Sequence, residues 1–462
     1  MREPTDRTLA LAALTLAAGV LLSFHRLHSD NNDASLYVLI GRTLARDRTP
    51  FALYYPRVLG HARFFEHPPL FFWLEAAALR LVPSFDLRLI GLSCGLITVG
   101  STFALGRELL GGRGALYGCL VLVATDAFSN YQPLARLDPP LTAAFTASVA
   151  LIVTSRGSLW RVLAGGLVAG AGALVKGPVA LEAPAVAAIL LFASGDHRAL
   201  GRPACWTACL LGTLGPPAAF LAYDSLALAG AWWHGYVHGQ LIESAVGARR
   251  GGLGPWPLLK NALVGRFWPG LPLALLALLR VASTRASASS MRPAVRWGLL
   301  GWAFLVYLTY ASSGRPYWWY LMPAYPALAL LAGTGIEDLA GARRAVLFET
   351  FCWRVELSVG FALLVLLPLK LFRPLEQACP LGDLPGRARA LAKGGTVALV
   401  VDDYSTRVTF AEHCECDPLT EPSLEAAARE HAAVVLSRSS RVLPPPWKNV
   451  ASQGDWSLLE PR

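Results

Sequence analysis

Ala135-Arg136-Leu137-Asp138-Pro139-Pro140 follows one apolar run, 114–130, and opens the next, 139–155. An arginine and an aspartate beside hydrocarbon are costly unless water, a partner or a substrate compensates them, so by default they mark a working site. The same pattern recurs at Asp33 and at Glu66-His67-Pro68-Pro69, each also next to apolar sequence. Together these stretches predict a polytopic α-helical membrane protein with its polar chemistry gathered in the loops at one face.

Composition agrees. The 462 residues are 54% hydrophobic and 16% charged, against about 25% charged in soluble domains, and mean hydropathy is +0.44. The net charge of +10 does not indicate a nucleic-acid partner. The arginines sit in short loops between apolar runs, where positive residues stay cytoplasmic, and no contiguous basic surface is evident. The first apolar run lacks a small-residue cleavage site before His25 and reads as a retained helix.

Apolar segments of about the length that spans a bilayer fall at 8–24, 68–83, 86–106, 114–130, 139–155, 159–175, 178–194, 204–229, 268–283, 295–312, 317–335 and 351–370, which gives 11–12 helices. Arginine-rich connectors at 1–7, 106–113, 155–161, 197–202 and 280–296, with Arg343-Arg344, are placed inside. That assignment is consistent only if one early segment does not cross. The segment 68–83 is short and carries Glu75 and Arg80, so it is expected at the outer interface. Asp33, Glu66, His67, Asp138, Lys176, His234, His238, Arg315 and the tail then share the outer side. The expected organisation is a membrane domain over 1–372, with a first outer loop at 25–67, and a soluble C-terminal α/β domain over 373–462. Within the loop, 34–46 puts Tyr37, Ile40 and Leu44 on one helical stripe and Arg42 and Arg46 on another, with Asp33 at the helix start.

In the tail, 396–401 and 432–436 read as strands and 423–431 as a helix. Asp402-Asp403 reads as a solvated turn. Cys379, Cys414 and Cys416 lie in this region. Cys414-Glu415-Cys416 lacks the usual zinc spacing, and a disulfide from Cys379 to either is an open alternative for an extracytoplasmic tail. Trp232-Trp233-His234, His238 and Trp318-Trp319 resemble interfacial aromatic belts. Asp126 is expected to face the interior.

The ordered set of motifs resembles a known family. It consists of Asp33-x-x-x-Tyr37, Phe65-Glu66-His67-Pro68-Pro69-Leu70 with Trp73, Arg88-Leu89 leading to Gly106-Arg107, Ala135-Arg136-Leu137-Asp138, Lys176-Gly177-Pro178, Pro316-Tyr317, and Tyr320-Leu321-Met322-Pro323-Ala324-Tyr325-Pro326. Over residues 8–335 this order is similar to the protein O-mannosyltransferase and aminoarabinose-transferase superfamily, polyprenyl-phosphate-sugar-dependent glycosyltransferases of the GT-C fold. The resemblance implies a bacterial inner-membrane enzyme that takes a sugar from a polyprenyl-phosphate donor. A lipid, glycan or protein acceptor receives it on the outer face, with membrane lipids around the site and inversion at the anomeric carbon.

Such a reaction needs a carboxylate to activate the acceptor and cations or a metal to hold the departing phosphate. Asp33 and Asp138 supply carboxylates on the same expected face, and Lys176, Arg315 and His67 are the candidates to meet the donor phosphate; the resemblance matches Asp33 and Asp138 to the family's two acidic positions and His67 to its phosphate-contacting position. Tyr37, Tyr317 and Tyr320 become substrate contacts. Glu66 matches a position that ligates a divalent metal in aminoarabinose transferases, so a metal remains open, although Glu66 and His67 alone supply too few ligands. Two residues depart from the pattern. The usual Asp-Glu pair is Asp33-Ala34 here, leaving Asp30 as a substitute, and His67 replaces a lysine, which makes its phosphate contact depend on pH because imidazole titrates near 6.5. The alternatives are a secondary transporter or lipid flippase, against which the chain shows no internal repeat, and a non-catalytic membrane scaffold.

Overall fold

The structure, a computed structural model, describes residues 5–24, 32–47, 52–196, 198–243, 254–268, 270–282, 293–313, 316–338, 381–414, 418–421, 423–438, 447–453 and 455–461. The span expected over 351–370 lies outside them, as do Arg315, Asp30, Cys379 and Cys416. Two compact units interleave along the sequence. One comprises Met1–Arg26, Phe65–Phe71 and Arg88–Pro374; the other comprises Leu27–Phe64, Phe72–Leu87 and Leu375–Arg462.

The first unit is helical and apolar, and the chain is an integral membrane protein. Among the described residues, Arg88–Leu110, Leu159–Lys176 and Pro203–Ala227 are long and apolar enough to cross a membrane, and Gly112–Ala124, Asp138–Val153 and Pro178–Ser194 are shorter apolar helices. Leu210, Leu211 and Leu214 are each more than half exposed, while Cys205, Cys209 and Thr213 on the same helix are buried. A helix that shows leucine outward and small or polar residues inward is suited to lipid outside and protein inside. Its inward face meets Gly166 and Gly170 of Leu159–Lys176. A Cβ at 166 would lie 2.5 Å from the Cys209 carbonyl oxygen, and one at 170 would lie 2.7 Å from that of Thr213. Only glycine lets the two backbones approach this closely, and the contact fixes the helix that carries Lys176 at its end.

Arg296, buried near the start of Pro293–Ala311 on the predicted inner side, is paired. The Arg296 guanidinium donates to the Ala277 carbonyl at 2.7 Å and to Asp338 at 3.0 Å. Asp126, for which the sequence suggests no partner, accepts from Arg266 and Asn130 and is one-third exposed.

The second unit joins the first outer loop to the tail. Its sheet has the order β2-β1-β3-β5-β4, with β1 at Val397–Val400, β2 at Leu419–Thr420, β3 at Val434–Arg438, β4 at Trp447–Gln453 and β5 at Trp456–Pro461. β1 pairs in parallel with β2 and β3, and β5 runs antiparallel to β3 and β4. The expected strands and the helix Leu424–Arg429 are present. The helices Leu384–Ala392 and Tyr404–Cys414 and the β4–β5 hairpin extend that expectation. Asp403 receives the Thr406 amide at 2.7 Å and caps its helix, a structural role for one member of the acidic pair.

The outer-loop helix Asn32–Asp47 packs on Leu70–Leu81. Tyr37 meets Phe72 edge-on at 5.7 Å, and Phe64 meets Phe72 at 5.4 Å. Arg80 donates to the carbonyls of Leu44 at 2.9 Å and Ala45 at 3.2 Å, satisfying acceptors that a helix end leaves open. With 12 residues, Leu70–Leu81 is about 18 Å long, well short of the roughly 30 Å hydrocarbon core.

Glu75 on this short helix is fully buried against Gly41. Neither carboxylate oxygen has a hydrogen-bond partner among the described residues. Burial pushes its carboxyl well above the usual value, with the charge of Arg42 only partly opposing. A folded-state pKa above the unfolded one means that the unfolded chain releases this proton first, so stability falls as pH rises through the unfolded value of about 4.3. Glu75→Gln removes that loss. Its melting temperature should match that of wild type at pH 4 and exceed it by a growing margin up to pH 8; a constant difference across this range would show that Glu75 is ionised in the folded state.

Candidate active site

The polar centre of the first unit forms where two helices end. Asp138 lies in the first turn of Asp138–Val153, followed by Pro139-Pro140, residues favoured where a helix opens. Lys176 lies in the last turn of Leu159–Lys176. Asp138 is 1% exposed. Its Oδ1 accepts from the Lys176 ammonium, and its Oδ2 accepts from Arg136 Nε at 3.4 Å. A buried carboxylate is tolerated when paired and hydrogen-bonded, and here two cations share one anion. Asp138 thus holds two cationic side chains at one point.

Aromatic rings surround the two cations. Arg136 lies over Trp319 at 4.9 Å and Tyr131 at 5.3 Å, and the Lys176 ammonium lies 4.3 Å from the centre of Tyr320. Tyr317 stacks on Trp319 at 4.5 Å, and Tyr320 meets Tyr310 at 5.0 Å and Tyr317 at 5.8 Å. Cation–π contacts of this kind strengthen when desolvated. The expectation of an interfacial belt fails for Trp318 and Trp232, which are buried at 5% and 8% exposure. Trp318 carries Arg266 over its ring at 4.5 Å.

Glu66 and His67 belong to the same unit and are half-buried. Their segment docks on the helix Ala231–Tyr236. Trp232 Nε1 donates to the His67 carbonyl at 3.3 Å, and Gly235 gives Phe65 room that a Cβ would occupy. That helix is anchored by buried Asp224, which accepts the amides of Trp232 at 3.0 Å and Trp233 at 2.9 Å. Tyr236 stacks on Trp232 at 4.6 Å, and its hydroxyl fills the space beside Gly177, whose φ of +107° suits glycine. Among the described residues no group of three or more His, Cys, Asp or Glu converges on one point.

Asp33 lies in the second unit, exposed in the first turn of Asn32–Asp47. Tyr37 is buried, with its ring edge-on to Phe72. The structure thus brings Asp138, Lys176, Tyr317 and Tyr320 together in one unit.

Sequence reading passed over Glu182. Its Oε1 accepts from the Thr309 hydroxyl at 2.5 Å, while Oε2 is buried and without a partner among the described residues. Tyr310 lies within electrostatic reach of Asp138, Tyr320, Glu182 and Tyr236. The signal was present, since Glu182 is the only acidic residue in the apolar run 178–194.

A family model described as dolichyl-phosphate-mannose-protein mannosyltransferase matches residues 66–219, the part of the chain that holds Glu66, His67, Asp138 and Lys176. No curated protein sequence matches the chain. Among solved structures, ArnT from Cupriavidus metallidurans bound to undecaprenyl phosphate has a TM-score of 0.64 at 15% identity, over 98% of this chain and 97% of that one. The chain has the GT-C fold. A second structure, the oligosaccharyltransferase AglB from Archaeoglobus fulgidus in complex with an inhibitory peptide and a dolichol-phosphate, has a TM-score of 0.56 at 13% identity, over 94% of this chain and 69% of that one.

The Asp138–Lys176 pair makes a stability prediction for this GT-C chain. Lys176→Met leaves Asp138 with Arg136 alone and should cost about 3–5 kcal/mol, as when one partner of a buried pair is removed. Adding Asp138→Asn should recover much of that loss. Denaturant unfolding in detergent checks this, and a double variant as unstable as the sum of the two singles would show that the residues do not depend on each other.

Proposed function

We propose that the chain is a membrane glycosyltransferase that moves a sugar from a polyprenyl-phosphate donor to a lipid, glycan or protein acceptor on the extracytoplasmic face. The observation that carries this reading is the buried Asp138 centre with its two cations and aromatic rings, whose Arg136, Asp138 and Lys176 lie within the stretch matched by the mannosyltransferase family model. The fold shared with ArnT bound to undecaprenyl phosphate supports a lipid-phosphate carrier. The disulfide at Cys414, whose partner lies outside the described residues, supports a tail in an oxidising compartment. In this reading 1–372 is the membrane domain, 373–462 is an extracytoplasmic α/β domain, and the membrane is the bacterial inner membrane.

In the proposed reaction Asp33, the exposed carboxylate, takes the proton from the acceptor nucleophile. The nucleophile attacks the anomeric carbon and forms the new glycosidic bond as the bond from that carbon to the phosphate oxygen breaks. The electron pair leaves with the polyprenyl phosphate, and the anomeric centre inverts. Lys176, Arg136, His67 and Arg315 supply positive charge for the departing phosphate. Asp138 orients Lys176 and Arg136 and leaves the proton transfer to Asp33. Tyr317 and Tyr320 line the cationic centre on the substrate side.

Transfer from a panel of radiolabelled polyprenyl-phosphate sugars, in membranes holding wild type or Asp33→Asn, tests the reading. Wild type should transfer one donor's sugar, and Asp33→Asn should lower the rate by about 10²–10⁴-fold, the usual contribution of a general base. Full activity in a folded Asp33→Asn protein would remove Asp33 as base. Labelling of a cysteine at exposed position 402 by a membrane-impermeant reagent should succeed from outside, and protection there would reverse the proposed topology.

A further inference from the structure

The helix that carries Asp33 is gripped by the tail at two points that converge on one residue. The Ser35 hydroxyl donates to the Glu412 carboxylate, and Arg42 Nη1 donates to the Glu412 main-chain oxygen at 2.9 Å. Ser35 and Arg42 are seven positions apart, two turns of helix on one face. Asp33 and Ser35 are two positions apart, about 200° around the helix axis at 3.6 residues per turn. Glu412 therefore holds the flank opposite the exposed Asp33 carboxylate.

The gripping residue is itself well anchored. Glu412 lies in the last turn of Tyr404–Cys414, where carbonyls lack partners within the helix and attract cations. The Arg42 bond meets that need. Two residues on, Cys414 is buried and disulfide-bonded, which ties down the end of the helix. Phe410 and Ala411 are buried beside it. A second tie runs from the Thr420 hydroxyl, on β2, to the Val58 carbonyl of the outer loop at 2.7 Å.

We infer that Glu412 is a positioning residue for the proposed transfer: through Ser35 and Arg42 it fixes the rotation of Asn32–Asp47, and with it the aim of the Asp33 carboxylate. The C-terminal domain thereby serves the catalytic loop directly. This inference rests on the reading of Asp33 as the base. A base must be held within hydrogen-bond reach of the proton it abstracts, and small misplacements are costly.

The test uses the full-length protein in detergent or nanodiscs, with turnover expressed per folded molecule. The variants are Asp33→Asn, Ser35→Ala, Glu412→Ala, Glu412→Gln and the Ser35→Ala/Glu412→Ala double. Ser35→Ala and Glu412→Ala should each lower kcat by about tenfold to a hundredfold, the cost of a misplaced catalytic group, and leave the donor KM unchanged. The double variant should be no worse than the weaker single, because both remove the same bond. Glu412→Gln keeps an acceptor oxygen for Ser35 and its own main-chain carbonyl for Arg42, so it should recover most of the rate.

If Asp33→Asn is inactive while Ser35→Ala and Glu412→Ala stay within about twofold of wild type, or multiply in the double variant as independent sites do, the positioning role is wrong and the base assignment stands. If Asp33→Asn is active, the base assignment and the positioning role both fail.

Discussion

The Asp138 carboxylate, removed almost entirely from water, constrains the helices around it. An ion this deeply buried is retained only where opposite charge meets it with good geometry, and here the charge comes from the end of one helix and from the loop before another. Lys176 reaches Asp138 because Leu159–Lys176 is held against Pro203–Ala227 through glycine contacts. Arg136 reaches it with its guanidinium resting against both Tyr131 and Trp319. The aromatic rings of 317–320 are in turn placed by the helices on either side. Backbone packing, aromatic packing and ion pairing thus converge on one carboxylate.

This arrangement also separates the two aspartates that the motifs present as equivalents. Asp138 is buried and its oxygens are engaged by Lys176 and Arg136, which suits a group that organises cations. Asp33 is exposed in a helix first turn, which suits a group that meets a substrate proton. The difference lies in environment, which a motif does not encode.

The charged residues of the centre were legible in the sequence because an ionisable side chain beside an apolar run has to be compensated by something. Their pairing was not legible. Asp138 and Lys176 are 38 positions apart, and their meeting depends on how closely helices approach rather than on any local pattern. Glu182 was overlooked although the same argument applies to it, and Trp318 and Trp232 resembled lipid-facing residues because hydropathy cannot tell an aromatic side chain at the bilayer surface from one stacked in a site. In the tail, the parallel strands β1 and β3 announced themselves through continuous apolar runs. The β4–β5 hairpin did not, since Trp447–Gln453 shows mixed burial, yet Gly454-Asp455 between the strands is a recognised two-residue turn signal.

The bond from Ser35 to Glu412 closes 377 positions of sequence. In the proposed topology, a chain made from its N-terminus at about 5–20 residues per second exports Asp33 well before Glu412. For most of that interval the outer-loop helix exists without the surface that orients it. The newborn protein is thus inserted first and aligned only when the tail reaches the far side of the membrane, so a chain that stops short of Glu412 would carry its proposed base into place without the means to aim it.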